Sequence, residues 1–323
     1  MDDLDERLIG ELAHDGRASF RTLAARTGLS PSAARARVTR LIDSGVVGIY
    51  AQAHPAVLGQ PVIHLLTLTG RSGDLPDPSS VPALDASAWI ARVTTGPALL
   101  VQMSTPDLDT VRAEMDHLGT LGWVSHVRAD IYVRLHAGPG AGGLTHTDPG
   151  PWNADLGRPL DATDLALVAS LRTDGRAGYT DLAAAVGRSV AATRARVLQL
   201  LATGAIRLTT VVRHPGGTAE QAQLALRADA HRRAELLAGL TATPGVDYIA
   251  ESTGAHDLHC SIGAPTVPEL AALTTTLSTL PGVLSHEVQP VRVLRHRLAW
   301  TSGVVEQRLP PPRARVNPGR RSG

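Results

Sequence analysis

One short segment carries side chains whose types and spacing suit the reading of nucleic acid. It runs Leu29-Ser30-Pro31-Ser32-Ala33-Ala34-Arg35-Ala36-Arg37-Val38-Thr39-Arg40-Leu41. At 100° per residue, Ala34, Val38 and Leu41 form a single apolar stripe. Ser32, Arg35, Thr39 and Arg40 lie away from that stripe, where hydroxyl and guanidinium groups can reach base edges and phosphates in a major groove. Arg37 lies beside the stripe, where a salt bridge or aliphatic packing competes with a DNA contact. Ser30 is placed to cap the helix and is also a candidate DNA contact, Pro31 takes its first position and Gly45 stops it.

The segment recurs as Ser189-Val190-Ala191-Ala192-Thr193-Arg194-Ala195-Arg196-Val197-Leu198-Gln199-Leu200, with Gly204 as its stop. Residues 5–47 align with 164–206 without a gap. Asp15-Gly16-Arg17-Ala18 matches Asp174-Gly175-Arg176-Ala177, and Arg35-Ala36-Arg37-Val38 matches Arg194-Ala195-Arg196-Val197. The scaffold is kept better than the reading face. Val190 stands opposite Pro31, Ala191 opposite Ser32, Leu198 opposite Thr39 and Gln199 opposite Arg40. The candidate contacts of the second copy are Arg194, Arg196 and Gln199, and the first copy is expected to be the main reader.

Three helices must hold each reading segment. Residues 3–13 repeat Leu4, Leu8 and Leu12 behind a capping box expected at Asp3 and Glu6. Asp15-Gly16-Arg17 is a turn, 19–27 a second helix, and Gly28-Leu29 the tight turn into the third. Val46 to Tyr50 leaves as a strand or connector. Strands at 61–69, 89–93, 99–103 and 124–135, a helix or turn at 81–86 and a helix at 107–118 follow the ferredoxin-like plan. The second set is strand 220–228, helix 230–239, strands 246–252 and 257–262, helix 266–279 and strand 283–294.

The expected class is therefore α+β: a winged helix-turn-helix plus a ferredoxin-like βαββαβ module, the pair present twice. The expected divisions are 1–52 and 60–136, a linker at 137–158, then 159–212 and 219–298. The linker is rich in Gly and Pro and is expected to be flexible and solvated. Residues 303–323, with five Arg and four Pro, are expected to be a disordered tail.

The 323 residues are 43% hydrophobic and only 3% aromatic, so the cores must be aliphatic. A net charge of +1 provides no global field toward nucleic acid, and any basic footprint must be local. The single cysteine, Cys260, excludes an internal disulfide and reads as a small core residue. No apolar run is long enough to span a membrane, and Met1-Asp2-Asp3 does not read as a signal peptide, so a cytoplasmic protein is expected. His256, His259 and His286 do not form a clear ligand set, and Cys260 alternates onto the opposite strand face from His259. No metal and no other cofactor are expected, nor is enzymatic activity.

Asp15-Gly16-Arg17, Leu23-Ala24, Gly28-Leu29-Ser30-Pro31-Ser32, Arg37-Val38, Leu41 and Gly45-Val46-Val47 resemble the helix-turn-helix of the Lrp/AsnC (feast/famine) transcriptional regulators. The module that follows is similar to that family's effector-binding, dimer-forming domain. The resemblance covers nearly the whole chain, twice. It implies a transcriptional regulator that binds double-stranded DNA and responds to an amino acid or related small molecule. In the family a Gly-x-x-Asp turn helps form the effector site. Here that implies Thr253, Gly254, His256 and Asp257, whereas the first copy reads Thr95-Gly96-Pro97-Ala98-Leu99 and lacks the acid. The two copies are expected to pair as an intrachain pseudo-dimer, with homo-oligomers beyond it. Two alternatives remain open at this stage. Fused proteins similar to this layout include siroheme decarboxylases, although the sequence shows no His-, Tyr- and Arg-rich cluster and its four Tyr are scattered. The other is a ligand sensor that has lost DNA binding.

Overall fold

The computed structural model describes residues 2–71, 75–140, 144–146, 150–152, 154, 157–212 and 220–296. The tail expected at 303–323 and parts of the linker lie outside them. The first half runs α1 (Asp3–His14), α2 (Phe20–Thr27), α3 (Pro31–Asp43), β1 (Val47–Ala53), β2 (Val62–Gly70), β3 (Trp89–Val93), β4 (Ala98–Thr105), α4 (Leu108–Gly119) and β5 (Val124–Ala137). Two short strands follow, β6 (Leu144–His146) and β7 (Gly150–Trp152). The second half runs α5 (Ala162–Thr173), α6 (Tyr179–Val186), α7 (Val190–Ala202), β8 (Ile206–Val212), β9 (Glu220–Ala228), α8 (Arg233–Ala242), β10 (Val246–Ser252), β11 (Leu258–Ala264), α9 (Val267–Ser278) and β12 (Val283–His296).

Local rules account for the two three-helix heads. Ser30 accepts from the Ala33 N–H, Pro31 opens α3, and Gly45 follows its end with φ +70°. Ala34, Val38 and Leu41 are buried against Leu8, Leu12 and Leu23. The α1 capping box differs from expectation by one residue. Asp2 and Asp5 form it, because the acid at 5 also faces arginines of α3. Asp161 and Asp164 repeat the box on α5.

The eight long strands that follow the heads close into a barrel. Their order is β10-β11-β9-β12-β3-β4-β2-β5, and β5 pairs back onto β10. The two 14-residue strands make the closure. β5 pairs β2 of its own module, then β10 of the other, with Leu135 opposite Ala250. β12 pairs β9, then β3, with Val291 opposite Val93. Each module thus lends its last strand to its twin, and side chains fill the interior of so small a barrel. The outer faces pack under helices: Leu66, Leu68 and Leu99 lie in the first module's core, and Leu224, Leu258 and Cys260 in the second's. Trp152, Tyr132, Leu65 and Ala250 pack in the barrel's interior.

Some expectations need correction. Of the helix or turn expected at 81–86 in the first module, the turn forms: 3-10 turns lie at Pro78–Ser80 and Pro82–Leu84, because prolines at 76, 78 and 82 remove the N–H groups a longer helix needs. The helix expected at 230–239 begins at Arg233, after the Asp229 side chain has accepted from the His231 N–H in a turn. The linker is not simply a solvated connector. β6 pairs β8, β7 pairs β5, and Trp152 is buried, donating Nε1–H to the Gly204 carbonyl at 2.9 Å. An indole buries a large apolar area, which holds this strap on the barrel. Among the described residues, no helix is long and apolar enough to cross a membrane.

Candidate DNA-reading heads and an interior polar cluster

On α3, Ser32, Arg35, Thr39 and Arg40 are all exposed, and the Ser32 hydroxyl hydrogen-bonds to Ser30 at 3.0 Å. Arg37 is anchored within the head. Its Nη1 donates to Asp2 and to Asp5 at 2.7–2.8 Å. Arg40 also donates to both Asp5 oxygens at 2.8 Å, yet its side chain is 61% exposed. Desolvation would raise the Asp5 pKa, but Arg37, the Asp2 backbone and Arg40 together hold it below the ordinary value. Asp5 therefore stays ionised and fixes α1 against α3. Arg35 stacks over Phe20 at 5.9 Å.

The second head repeats the anchor but not the reading face. Arg196 donates to Asp161 and Asp164 at 2.6–2.8 Å and holds Asp161 down at about 2. Gln199, standing where Arg40 stands in the first head, is exposed and leaves Asp164 short of one arginine. Arg158, from the segment before α5, takes its place at 2.6 Å. Arg194 is exposed, and so are the apolar Val190 and Leu198 beside it, at 46% and 47%. Chain order hides the Arg158 replacement, because that arginine lies outside the reading helix.

The turn Thr253–Asp257 divides its residues between two places. Asp257 is taken up within its own module: its carboxylate accepts from the Ala228 N–H at 2.9 Å and lies 3.3 Å from Arg233. Thr253 donates its N–H to the Ile131 carbonyl of the first module. Gly254 lies against the buried Asp130 so closely that a Cβ would collide with the carboxylate. His256 lines a small cavity in the barrel with Arg128, Gln223, His259, Glu287 and Gln289. Around it, Arg128 Nε donates to Asp130 at 3.1 Å and His259 Nε2 lies 3.8 Å from the same carboxylate. His256 is 3.7 Å from Glu287.

Tyr132 lies 5.7 Å from His259 and 6.1 Å from Tyr248, ring centre to ring centre. Two tyrosines and two histidines that look scattered in sequence therefore meet in the barrel. Burial brings His259 down to about 4, so its ring is neutral at pH 7, and pushes both phenols well above their usual value. His259 Nε2, His256 Nδ1, Gln223 Oε1 and Thr67 Oγ1 are buried without a hydrogen-bond partner among the described residues. Such atoms call for water or a ligand. Among the described residues, no group of three His, Cys, Asp or Glu side chains is arranged to hold a metal ion.

Of the residues at and around this cavity, the sequence pointed to His256 and Gly254 and not to Arg128, Asp130, Tyr132, Gln223 or Tyr248. The available signal was the alternation Arg128-x-Asp130-x-Tyr132, which puts three polar side chains on one face of a strand. The first copy's turn is the apolar counterpart, with Leu99 fully buried under α4.

Residues 1–42 and 160–201 each match the AsnC-type helix-turn-helix domain. The chain thus carries the AsnC-type helix-turn-helix domain twice, in tandem. Among curated relatives, the HTH-type transcriptional regulator LrpA of Mycobacterium tuberculosis is 42% identical over 78 residues, which cover 24% of this chain and 52% of that protein. The chain thus spans about half the length of LrpA. The HTH-type transcriptional regulator FL11 of Pyrococcus furiosus is 25% identical over 138 residues, 42% of this chain and 91% of the relative. Among solved structures, the siroheme decarboxylase NirDL, in complex with an iron-uroporphyrin III analogue, superposes with a TM-score of 0.61. The match covers 90% of this chain and 92% of that one at 14% identity. That is a likeness of fold, and it extends over both halves of the chain.

Proposed function

We propose that this protein is a sequence-specific DNA-binding transcriptional regulator, cytoplasmic, that responds to an amino acid or related small molecule. The observation that carries the DNA reading is the exposed row Ser32, Arg35, Thr39 and Arg40 on a helix whose opposite face is locked in a core. Ser30 fixes the N-terminus of that helix and Arg37 acts as its anchor. α3 is the main reader. α7 presents Arg194 and Gln199 beside apolar side chains and contributes less. The effector reading is supported by the unsatisfied polar atoms beside His256 and Gly254, where Arg128 suits a carboxylate and Asp130 and Glu287 suit an ammonium group. Asp257 holds the turn in place. Association of chains through their sheet modules belongs to the same reading.

A gel-shift with duplexes selected by the protein from a random pool tests the first part. Arg35→Ala/Arg40→Ala is expected to weaken binding at least about tenfold and to lower the salt slope, and Arg194→Ala to do less. The reverse order would refute the assignment. Thermal shifts with individual amino acids test the second part; His256→Ala should abolish any shift that the wild type shows.

A second reading has one observation in its favour. The Tyr132, Tyr248, His256 and His259 cluster, together with the NirDL-like fold, is the arrangement a tetrapyrrole enzyme would call for. Titration with siroheme separates the two readings: a bound, coloured complex with decarboxylation would favour the enzyme, and selective duplex binding the regulator.

A further inference from the structure

The Asp-Gly-Arg-Ala sequence that both copies share does more than turn the chain. Arg17 crosses to the other head and donates from Nη1 to the Gly175 carbonyl at 2.6 Å and from Nη2 to the Ala177 carbonyl at 2.9 Å. Arg176 returns the arrangement, donating to the Gly16 carbonyl at 2.7 Å and the Ala18 carbonyl at 3.0 Å. Each guanidinium also stacks on an aromatic ring: Arg17 over Tyr179 at 4.7 Å, Arg176 over Phe20 at 5.1 Å. The other letters of the motif serve this contact. Asp15 and Asp174 accept from the backbone N–H of the following arginine and hold the turn. Gly16 and Gly175 let the two turns close on Ile49 of β1, where a Cβ would come within 2.9 Å and 2.8 Å. Gly175 donates its N–H to the Ile49 carbonyl, and Thr210 of β8 donates its hydroxyl to the Leu12 carbonyl. The arginine–carbonyl and arginine–ring contacts, Gly175 on Ile49 and Thr210 on Leu12 all join one copy to the other.

We propose that Arg17 and Arg176 are positioning residues: as a reciprocal clamp they hold the two heads at one separation and orientation, so that the chain selects operators by the spacing of their half-sites. The inference rests on the DNA-binding reading for its operator consequence, while the head geometry stands apart from it. A planar fork can serve two carbonyls at once, which the single ammonium of a lysine cannot do in the same geometry. The Phe20 ring under Arg176 also carries Arg35, so the clamp reaches the reading helix through one side chain. The second head keeps its half of the clamp while its reading face is the more apolar of the two, with Val190 and Leu198 exposed beside Arg194 and Gln199. Its retained task is to orient the first head on DNA.

The test uses the full chain with spin labels on Ser32→Cys and Ala191→Cys, both exposed; Cys260 is fully buried and is left in place. Wild type should give one narrow inter-label distance. Arg17→Lys/Arg176→Lys and Arg17→Ala/Arg176→Ala should each broaden it while the chain still melts cooperatively. In parallel, duplexes selected by the wild type are altered by about half a helical turn, roughly 5 base pairs, between their half-sites. Wild-type affinity should fall at least about tenfold, the loss expected when one head no longer meets its groove, and the clamp variants should discriminate less than about threefold. A narrow distance retained in the folded Lys variant would overturn the clamp, as would undiminished spacing selectivity. A wild type that binds no duplex would refute the DNA reading, and the label distances alone would then decide the clamp.

Discussion

His54 offers a stability test whose size follows from the structure. It follows β1, its Nδ1 accepts from the Ala56 N–H at 3.2 Å, and its ring meets Trp152 edge-on at 5.3 Å. Desolvation foremost, and the Arg207 charge after it, bring its pKa from 6.5 to about 4. The unfolded chain therefore takes up the proton first as pH falls. Stability is at its full value above about pH 6.5 and declines toward pH 4, below which the native ring also protonates. A shift of this size has a ceiling of about 3 kcal/mol, and the partial exposure of the ring reduces it to about 1–2 kcal/mol. Urea unfolding at pH 7.5 and 4.5 should show wild type losing that much more stability than His54→Asn, whose amide oxygen can still accept from Ala56. Contributions common to the two proteins cancel. Equal pH dependence of the two would refute the reasoning and mean that His54 keeps its ordinary pKa in the folded chain.

Other outcomes follow from single contacts. Trp152→Ala should cost about 3–5 kcal/mol in chemical denaturation, because a buried indole that ties the strap to Gly204 is lost. Asp5→Ala should destabilise the first head by about 3 kcal/mol in thermal melts, since it removes the shared partner of Arg37 and Arg40. Gly254→Val should cost about 1–3 kcal/mol through its collision with Asp130, whereas Gly96→Val, with open space around its Cβ, should stay within about 0.5 kcal/mol. Similar losses at Gly254 and Gly96 would show that the two turns are packed alike.

The two heads were legible in the sequence because each is specified locally. Ser30, Pro31, Gly28 and Gly45 mark helix ends through contacts within a few residues, and Ala34, Val38 and Leu41 mark the buried face by period alone. The duplication was legible for the same reason, and from it the different exposed side chains of α3 and α7. Arg37 could be placed at a boundary but not assigned its partners, because Asp2 and Asp5 belong to another helix. Only the tertiary structure closed the barrel. β5 and β12 pair across modules, and the strand alternation of each carries no record of its foreign neighbour. For that reason Asp130 meets Gly254, and Tyr132 meets Tyr248 and His259, across more than a hundred residues of chain. The linker shows the same limit: its composition reads as a flexible tether, and only the site that receives Trp152 makes it a strap. Periodicity and capping are properties of neighbouring residues, so the sequence by itself determined the heads and the repeat. The polar cluster and the pairing of Arg17 with Arg176 depend on distant strands and turns packing together, so the tertiary structure decided them.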